Sequence, residues 1–279
     1  LTVIGTTPGI LSLSAHNDIN INADISSSSN MTVNLDANSD VIGGGGISLN
    51  NITIDTGGNA VTAPLNMTGD FVDVNGNVSI TKEFGTLNIP GPMTINPGAV
   101  LTMGSGFASG STLTVAGADI VNDGNFISNG GCGDGCGKIA FTNTFTNNGT
   151  FRQLSGESNF DGTFKNAGVI DIADTIDSTR IVVGLASAGL LELNAGSTIT
   201  GVASGLLVID GLGTLDVLNP PVIEPQLILD LLEGLITNAQ NLTIPNTFTW
   251  AGGTIAGNGE FLTPSTSNTT IRAGQTVAN

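Results

Sequence analysis

Apolar and polar residues alternate along most of the chain. In "ILSLSAHNDININADI" the residues Leu11, Leu13 and Ala15, then Ile19, Ile21, Ala23 and Ile25, fall on one face, and Ser, Asn and Asp fall on the other. A period of two is the signature of a half-buried strand. Shorter runs of the same kind follow in "MTVNL", "ISLNNITID", "STLTVAG", "RIVVGL", "LLEL" and "LLVID", each closed by Gly, Asn, Asp or Pro. Those are turn residues, so the pattern predicts many short strands and few helices.

The strands recur at a coarse period. A glycine, one further residue and an apolar strand start repeat at Gly76, Gly98, Gly124, Gly149, Gly168, Gly189, Gly213 and Gly259, at spacings of 22, 26, 25, 19, 21, 24 and 46 residues. A period near 20 built from strands and turns predicts an all-β parallel β-helix, a β-solenoid of about 12 coils, in which each coil buries its inner face only by stacking on its neighbours. A β-sandwich is the competing architecture. Residues 1–279 then form a single solenoid, with a continuous, mainly aliphatic core of inward Val, Ile, Leu and Phe and asparagines stacked at the corners.

Two departures from the period predict insertions. The 46-residue step contains "NPPVIEPQLILDLLEGLITNAQNLTIP", in which Leu227, Leu231, Leu232, Leu235 and Ile236 recur at three- and four-residue steps after Pro225. This predicts a helical excursion over 219–244 and offers those five residues as a partner contact. The 25-residue step from Gly124 to Gly149 holds "GGCGDGCGK", which reads as a loop inserted over 130–137.

Composition narrows the function. The chain has 6 basic and 23 acidic residues among 279, a net charge of −17. A nucleic-acid partner requires a Lys/Arg footprint that this balance denies, and an anionic membrane surface is disfavoured on the same ground. No apolar run is long enough to cross a bilayer as a helix, so no membrane insertion is expected. The chain opens at Leu1, which reads as a processed product or a piece of a longer chain.

Candidate chemistry is sparse. The only cysteines, Cys132 and Cys136, lack both the C-x-x-C spacing and two further soft ligands, so a disulfide closing the loop is expected rather than a metal or redox site; it implies an oxidising compartment. Asp171, Asp174 and Asp177 are weak calcium candidates, calcium being the one cofactor considered, and "DVNGN" fails as a calcium loop because Gly76 and Phe84 occupy the wrong positions. A polysaccharide-active β-helix enzyme, lyase or hydrolase, would need paired carboxylates, or a carboxylate with Arg and Lys, on one face. Lys138, Arg152, Lys165 and Arg180 step by 14, 13 and 15, out of phase with a coil near 20. No catalytic residue is assigned. Sequons stand at Asn30, Asn51, Asn66, Asn77, Asn148, Asn241 and Asn268.

"LSLSAHNDININADI" resembles the repeats of filamentous haemagglutinin-type exoproteins. "LTVAGADIVNDGNF", "FTNTFTNNGTF" and "FTWAGGTIAGNGEF" resemble repeats of large bacterial autotransporter and two-partner-secreted adhesins. The resemblance implies a right-handed parallel β-helix exported to the bacterial cell surface, with adhesion or a structural stalk as its task. The expected partners are a host or neighbouring cell surface or matrix, or further copies of the chain in a fibre.

Overall fold

The computed structural model describes residues 9–26, 31–37, 44–56, 65–81, 85–104, 112–130, 137–172, 179–201, 205–272 and 276–277. They form a parallel β-solenoid. The first coil lays down Gly9–Ser14, Ile19–Ile21 and Ile25–Ser26, and each strand pairs in parallel with the equivalent strand one coil on. The result is three walls: sheets 1 and 2 with twelve strands each and sheet 3 with nine, so nine coils carry all three. A two-stranded ladder, Leu242–Thr243 with Phe261–Leu262, continues the third wall's course.

Alternation becomes burial row by row. In sheet 1 one inward row runs through Val33, Leu65, Leu87, Val115, Phe141, Phe160, Val183, Ile209, Leu231 and Trp250, all buried. Sheet 2 contributes the row Ile47, Val72, Met93, Ile120, Phe145, Phe164, Leu191, Leu215 and Ile236. Because strands stack at about 4.8 Å, each inward side chain lies on its equivalents above and below.

The core is not aliphatic throughout. Six phenylalanines, Phe126, Phe141, Phe145, Phe151, Phe160 and Phe164, are fully enclosed in the middle coils. Phe141 stacks on Phe160 with centroids 4.7 Å apart, and Phe145 meets Phe126, Phe141 and Phe151 edge-on at 5.1 to 5.4 Å. Beside them the inward row that holds Ile95 below and Leu193 above is occupied by Asn122, Asn147 and Asn166. All three are wholly buried. The amides of Asn122 and Asn147 donate to the asparagine of the following coil, and that of Asn166 donates to Gly168 O. The predicted corner stacking of asparagines therefore also occurs inside.

The helical excursion over 219–244 does not form. The stretch makes strands Val222–Ile223, Ile228–Leu231, Leu235–Asn238 and Leu242–Thr243, an ordinary coil. Steps of four residues are also multiples of two, so Leu227 and Leu231 share one strand face as readily as one helix face. The apparent surplus arises because the count passes over Gly234: a Cβ there would lie 2.4 Å from the Gly213 carbonyl oxygen, which identifies it as the next glycine of the same corner. The repeat also changes corner. Gly124, Gly149 and Gly168 precede strands of sheet 3, whereas Gly189 and Gly213 precede strands of sheet 2.

Candidate functional site

The three corners differ in length. Connections from sheet 2 to sheet 3 take two to four residues, while those from sheet 3 to sheet 1 range from one to nine. Four of the five connections of seven or more residues, those leaving Asp55, Met103, Asn129 and Ile172, depart along the sheet 3 to sheet 1 edge. A solenoid tolerates insertions only where backbone leaves the ladders, and here that place is mainly one edge of the rod.

The loop over 130–137 is one of these. Cys132 and Cys136 lie outside the described residues, but the feet of the loop do not. A Cβ on Gly130 would stand 2.5 Å from the Gly137 carbonyl oxygen, so the chain leaves and returns at nearly the same point. Gly130 N–H donates to Ser155 O at 2.9 Å, and Gly137 O accepts from Glu157 N–H at 3.1 Å. In the next coil Gly156 alone, at φ +75°, makes the same corner.

Directly beyond that edge lies a row of paired charges. Lys138, Glu157 and Arg180 open three successive strands of sheet 1 and occupy one row. Lys138 Nζ approaches Glu157 Oε1 at 3.0 Å, Arg180 Nε donates to Glu157 Oε2 at 2.6 Å, and Arg180 Nη2 contacts the same oxygen. Burial pushes the Glu157 carboxyl up, but the Lys138 hydrogen bond and the Arg180 charge outweigh it and hold the group below the usual carboxylate range. The steps of 14, 13 and 15 thus mislead. They carry Lys138 on sheet 1 to Arg152 on sheet 3, Lys165 on sheet 2 and Arg180 back on sheet 1, so two of the four cations are in phase around a carboxylate.

The calcium candidates separate. Asp171 stands on sheet 3, where its Oδ2 pairs with Arg152 Nε at 3.4 Å and its Oδ1 accepts from Thr200 Oγ1 at 3.0 Å. Asp174 and Asp177 lie outside the described residues. Among the described residues no group of three or more His, Cys, Asp or Glu is placed to hold a metal ion.

Many acidic and amide side chains work as corner caps between coils. Asp18 accepts from Gly46 N–H, Asp24 from Thr53 N–H, Asp119 from Thr144 N–H, Asp161 from Ala186 N–H and Asn51 from Asn77 N–H, at 2.7 to 3.1 Å. A strand leaving its ladder strands an N–H, and the side chain one coil below supplies the acceptor. In the sequence these residues read as solvated turn positions, because partners some 25 residues apart become visible only once the coil length is fixed.

The expected partner contact is largely inward. Leu227, Leu231 and Ile236 are enclosed in the core, and Leu232 and Leu235 are half-buried. Exposed apolar side chains stand elsewhere, Leu185 and Leu212 among them, at sheet 1 to sheet 2 corners.

Comparison of the chain with protein-family models, with curated proteins and with solved structures finds no match in any of the three.

Proposed function

We propose that the chain is a non-enzymatic structural or adhesive rod, a segment or subunit of an extracellular bacterial-surface adhesin or fibre. Its contacts are made along the sheet 3 to sheet 1 edge. The observation that carries this reading is the collection of four of the five longest connections on that one edge of the solenoid. Twelve stacked strands at about 4.8 Å set a reach of about 55 Å, so the ladders supply distance and the edge supplies variable surface.

The chemistry of the walls supports it. Glu157 is sealed between Lys138 and Arg180 with its carboxyl held low, the reverse of the raised pKa a glycosidic general acid uses. Corner carboxylates are occupied with backbone N–H groups. The partner of the edge is a host or neighbouring cell surface or matrix.

The test is binding of the purified chain to cultured cells and to immobilised matrix, before and after replacing residues 57–63 and 131–136 by two-residue linkers. Loss of binding with far-UV circular dichroism unchanged supports the assignment to the edge. Undiminished binding moves the contact elsewhere. Release of reducing ends or unsaturated sugars from a glycan panel replaces the reading with a polysaccharide-active enzyme. Electron microscopy distinguishes single rods from fibres.

A further inference from the structure

Four Asn–Gly pairs occur in the chain, Asn75–Gly76, Asn129–Gly130, Asn148–Gly149 and Asn258–Gly259. Such a pair is open to a reaction of its own, because no Cβ on the glycine screens the asparagine carboxamide from the following main-chain nitrogen. That nitrogen must be free to attack. In three pairs it is not: Gly130 N–H donates to Ser155 O, Gly149 N–H to Asn122 O and Gly259 N–H to Asn238 O, at 2.8 to 2.9 Å. Among the described residues, the Gly76 N–H alone of the four has no hydrogen-bond partner.

The difference has a structural cause. Asn75–Gly76 and Asn148–Gly149 form the same two-residue corner, between a strand of sheet 2 and one of sheet 3. At the later corner three successive N–H groups are taken by carbonyls of the coil below, those of Asn148 and Gly149 by Asn122 O and that of Thr150 by Gly124 O. At the earlier one Asn75 N–H reaches Leu49 O, but Asn77 N–H is taken by Asn51 Oδ1 at 3.0 Å. Asn51 sits at φ +51°, the one left-handed backbone among the described non-glycine residues. Its carboxamide, not its carbonyl, meets the coil above, and the Gly76 N–H between the two bonds is passed over. Asn75 is exposed, and Asn96 Nδ2 donates to its Oδ1 at 2.6 Å. Negative charge develops on that oxygen when a nitrogen adds to Cγ, so the Asn96 amide stands where the transition state needs a donor.

We propose that Asn75 is a modification site, the position at which the rod deamidates while its other Asn–Gly pairs are protected. Water or hydroxide takes the Gly76 amide proton, and the nitrogen attacks Asn75 Cγ. The N–Cγ bond forms, the Cγ–Nδ2 bond breaks, and Nδ2 leaves as ammonia with a proton from water, giving a cyclic succinimide. Water then opens the ring. Attack at Cγ breaks the new bond and yields aspartate. Attack at the main-chain carbonyl carbon breaks the original peptide bond and yields isoaspartate, with the chain running through Cβ and Cγ. Either product adds a negative charge to the sheet 2 to sheet 3 corner, and isoaspartate also lengthens the corner by one backbone atom. The assignment holds whether or not the rod is adhesive.

The folded full chain, held at mildly alkaline pH and sampled over days, tests it. Fragment-ion mass spectrometry places each exchange of an amide NH2 for a hydroxyl, and an isoaspartyl methyltransferase marks isoaspartate. Conversion at Asn75 should run about 10-fold or more ahead of Asn129, Asn148 and Asn258, since each of those pairs must first give up a backbone hydrogen bond. In urea, where all four glycine amides are free, the rates should draw together. Asn96→Ala should slow Asn75 about 3- to 10-fold, the loss of one neutral hydrogen bond to the developing charge. Asn75→Gln should leave the folded chain without a fast site. Far-UV circular dichroism establishes that each variant is folded. Conversion of the folded chain led by any other asparagine overturns the proposal, and so does a folded chain that stays unmodified while the unfolded chain converts. An unchanged Asn75 rate in folded Asn96→Ala overturns the part given to that amide.

Discussion

Asn147 Nδ2 and Asn166 Oδ1 meet at 2.7 Å inside the solenoid, where neither side chain touches solvent. This bond joins two coils whose asparagines are 19 residues apart in the chain, and it serves as an interior ladder rung beside a phenylalanine cluster. Asn147→Leu removes it and leaves Asn166 Oδ1 and Asn122 Nδ2 each short of a partner. The expected loss is about 1–3 kcal/mol for each group left unsatisfied, read as a lowered urea midpoint. Asn34→Ala breaks the exposed bonds to Ser12 and Asn66 and should change stability by no more than about 0.5 kcal/mol. Equal effects of the two substitutions would show that the interior ladder has no special weight.

Phe145, like Phe151, is a hub of the aromatic cluster, in ring contact with Phe126, Phe141, Phe151, Phe160 and Phe164. Phe145→Ala should cost about 3–5 kcal/mol through lost burial and the cavity left behind. In a stack where each coil touches only its neighbours, that loss is local and opens the middle first. Limited proteolysis of the variant should therefore cut near residues 141–151 and release two halves, whereas cleavage from either terminus inward contradicts a central hub.

Alternation in "MTVNLD" and "TLDV" translates directly into inward and outward rows, and the repeating glycines mark corners, so the solenoid is legible from the residues alone. Register is not. Gly168 and Gly189 look alike in sequence and occupy different corners, because any tight corner that brings backbone against backbone calls for a missing Cβ. Inward Asn122, Asn147 and Asn166 are equally hidden, since asparagine in a strand reads as solvent-facing until a second asparagine one coil away is available to it. The sheet 3 to sheet 1 edge follows the same logic: "GGCGDGCGK" is recognisable as an insertion, but its alignment with the connections after Asp55, Met103 and Ile172 requires the coil count.

Glu157 gives the rod an acid-sensitive contact. Its folded carboxyl titrates below the usual carboxylate range, so the unfolded chain binds the proton more readily than the folded chain does. Stability from this group is complete above about pH 4.5, the unfolded value. It is lost as pH falls through the lowered folded value. Glu157→Gln should be less stable than the parent at neutral pH, with the difference shrinking below pH 4.5. A difference between the two proteins that stays constant from neutral pH to well below the unfolded value would exclude the Lys138–Glu157–Arg180 row as its source.

Corner glycines separate two physical effects. Gly98 holds φ +81° and a Cβ there would have nothing within 4 Å, so Gly98→Ala carries only the left-handed backbone cost of about 1–2 kcal/mol. At Gly149 the same methyl would stand 2.1 Å from the Gly124 carbonyl oxygen, and Gly168 makes the equivalent approach to Gly149. Gly149→Ala must push coils apart and should cost more than Gly98→Ala. Thermal denaturation of the two variants measures the order, and the reverse order would contradict close stacking at this corner.

The cysteine loop is closed at its base by the described residues Gly130 and Gly137. Gly156 shows that a single residue suffices for this corner. Deleting 131–136 should therefore leave far-UV circular dichroism unchanged and stability within about 0.5 kcal/mol of the parent, because the ladders on either side keep their bonds. A large loss on deletion would mean that the loop packs on the walls rather than only leaving them. In the intact chain, a mass two hydrogens below the reduced value would support the Cys132–Cys136 disulfide and an oxidising location. Two alkylatable thiols in freshly isolated protein would remove both, and would leave the rod itself unaffected, since its closure at this corner is made by backbone.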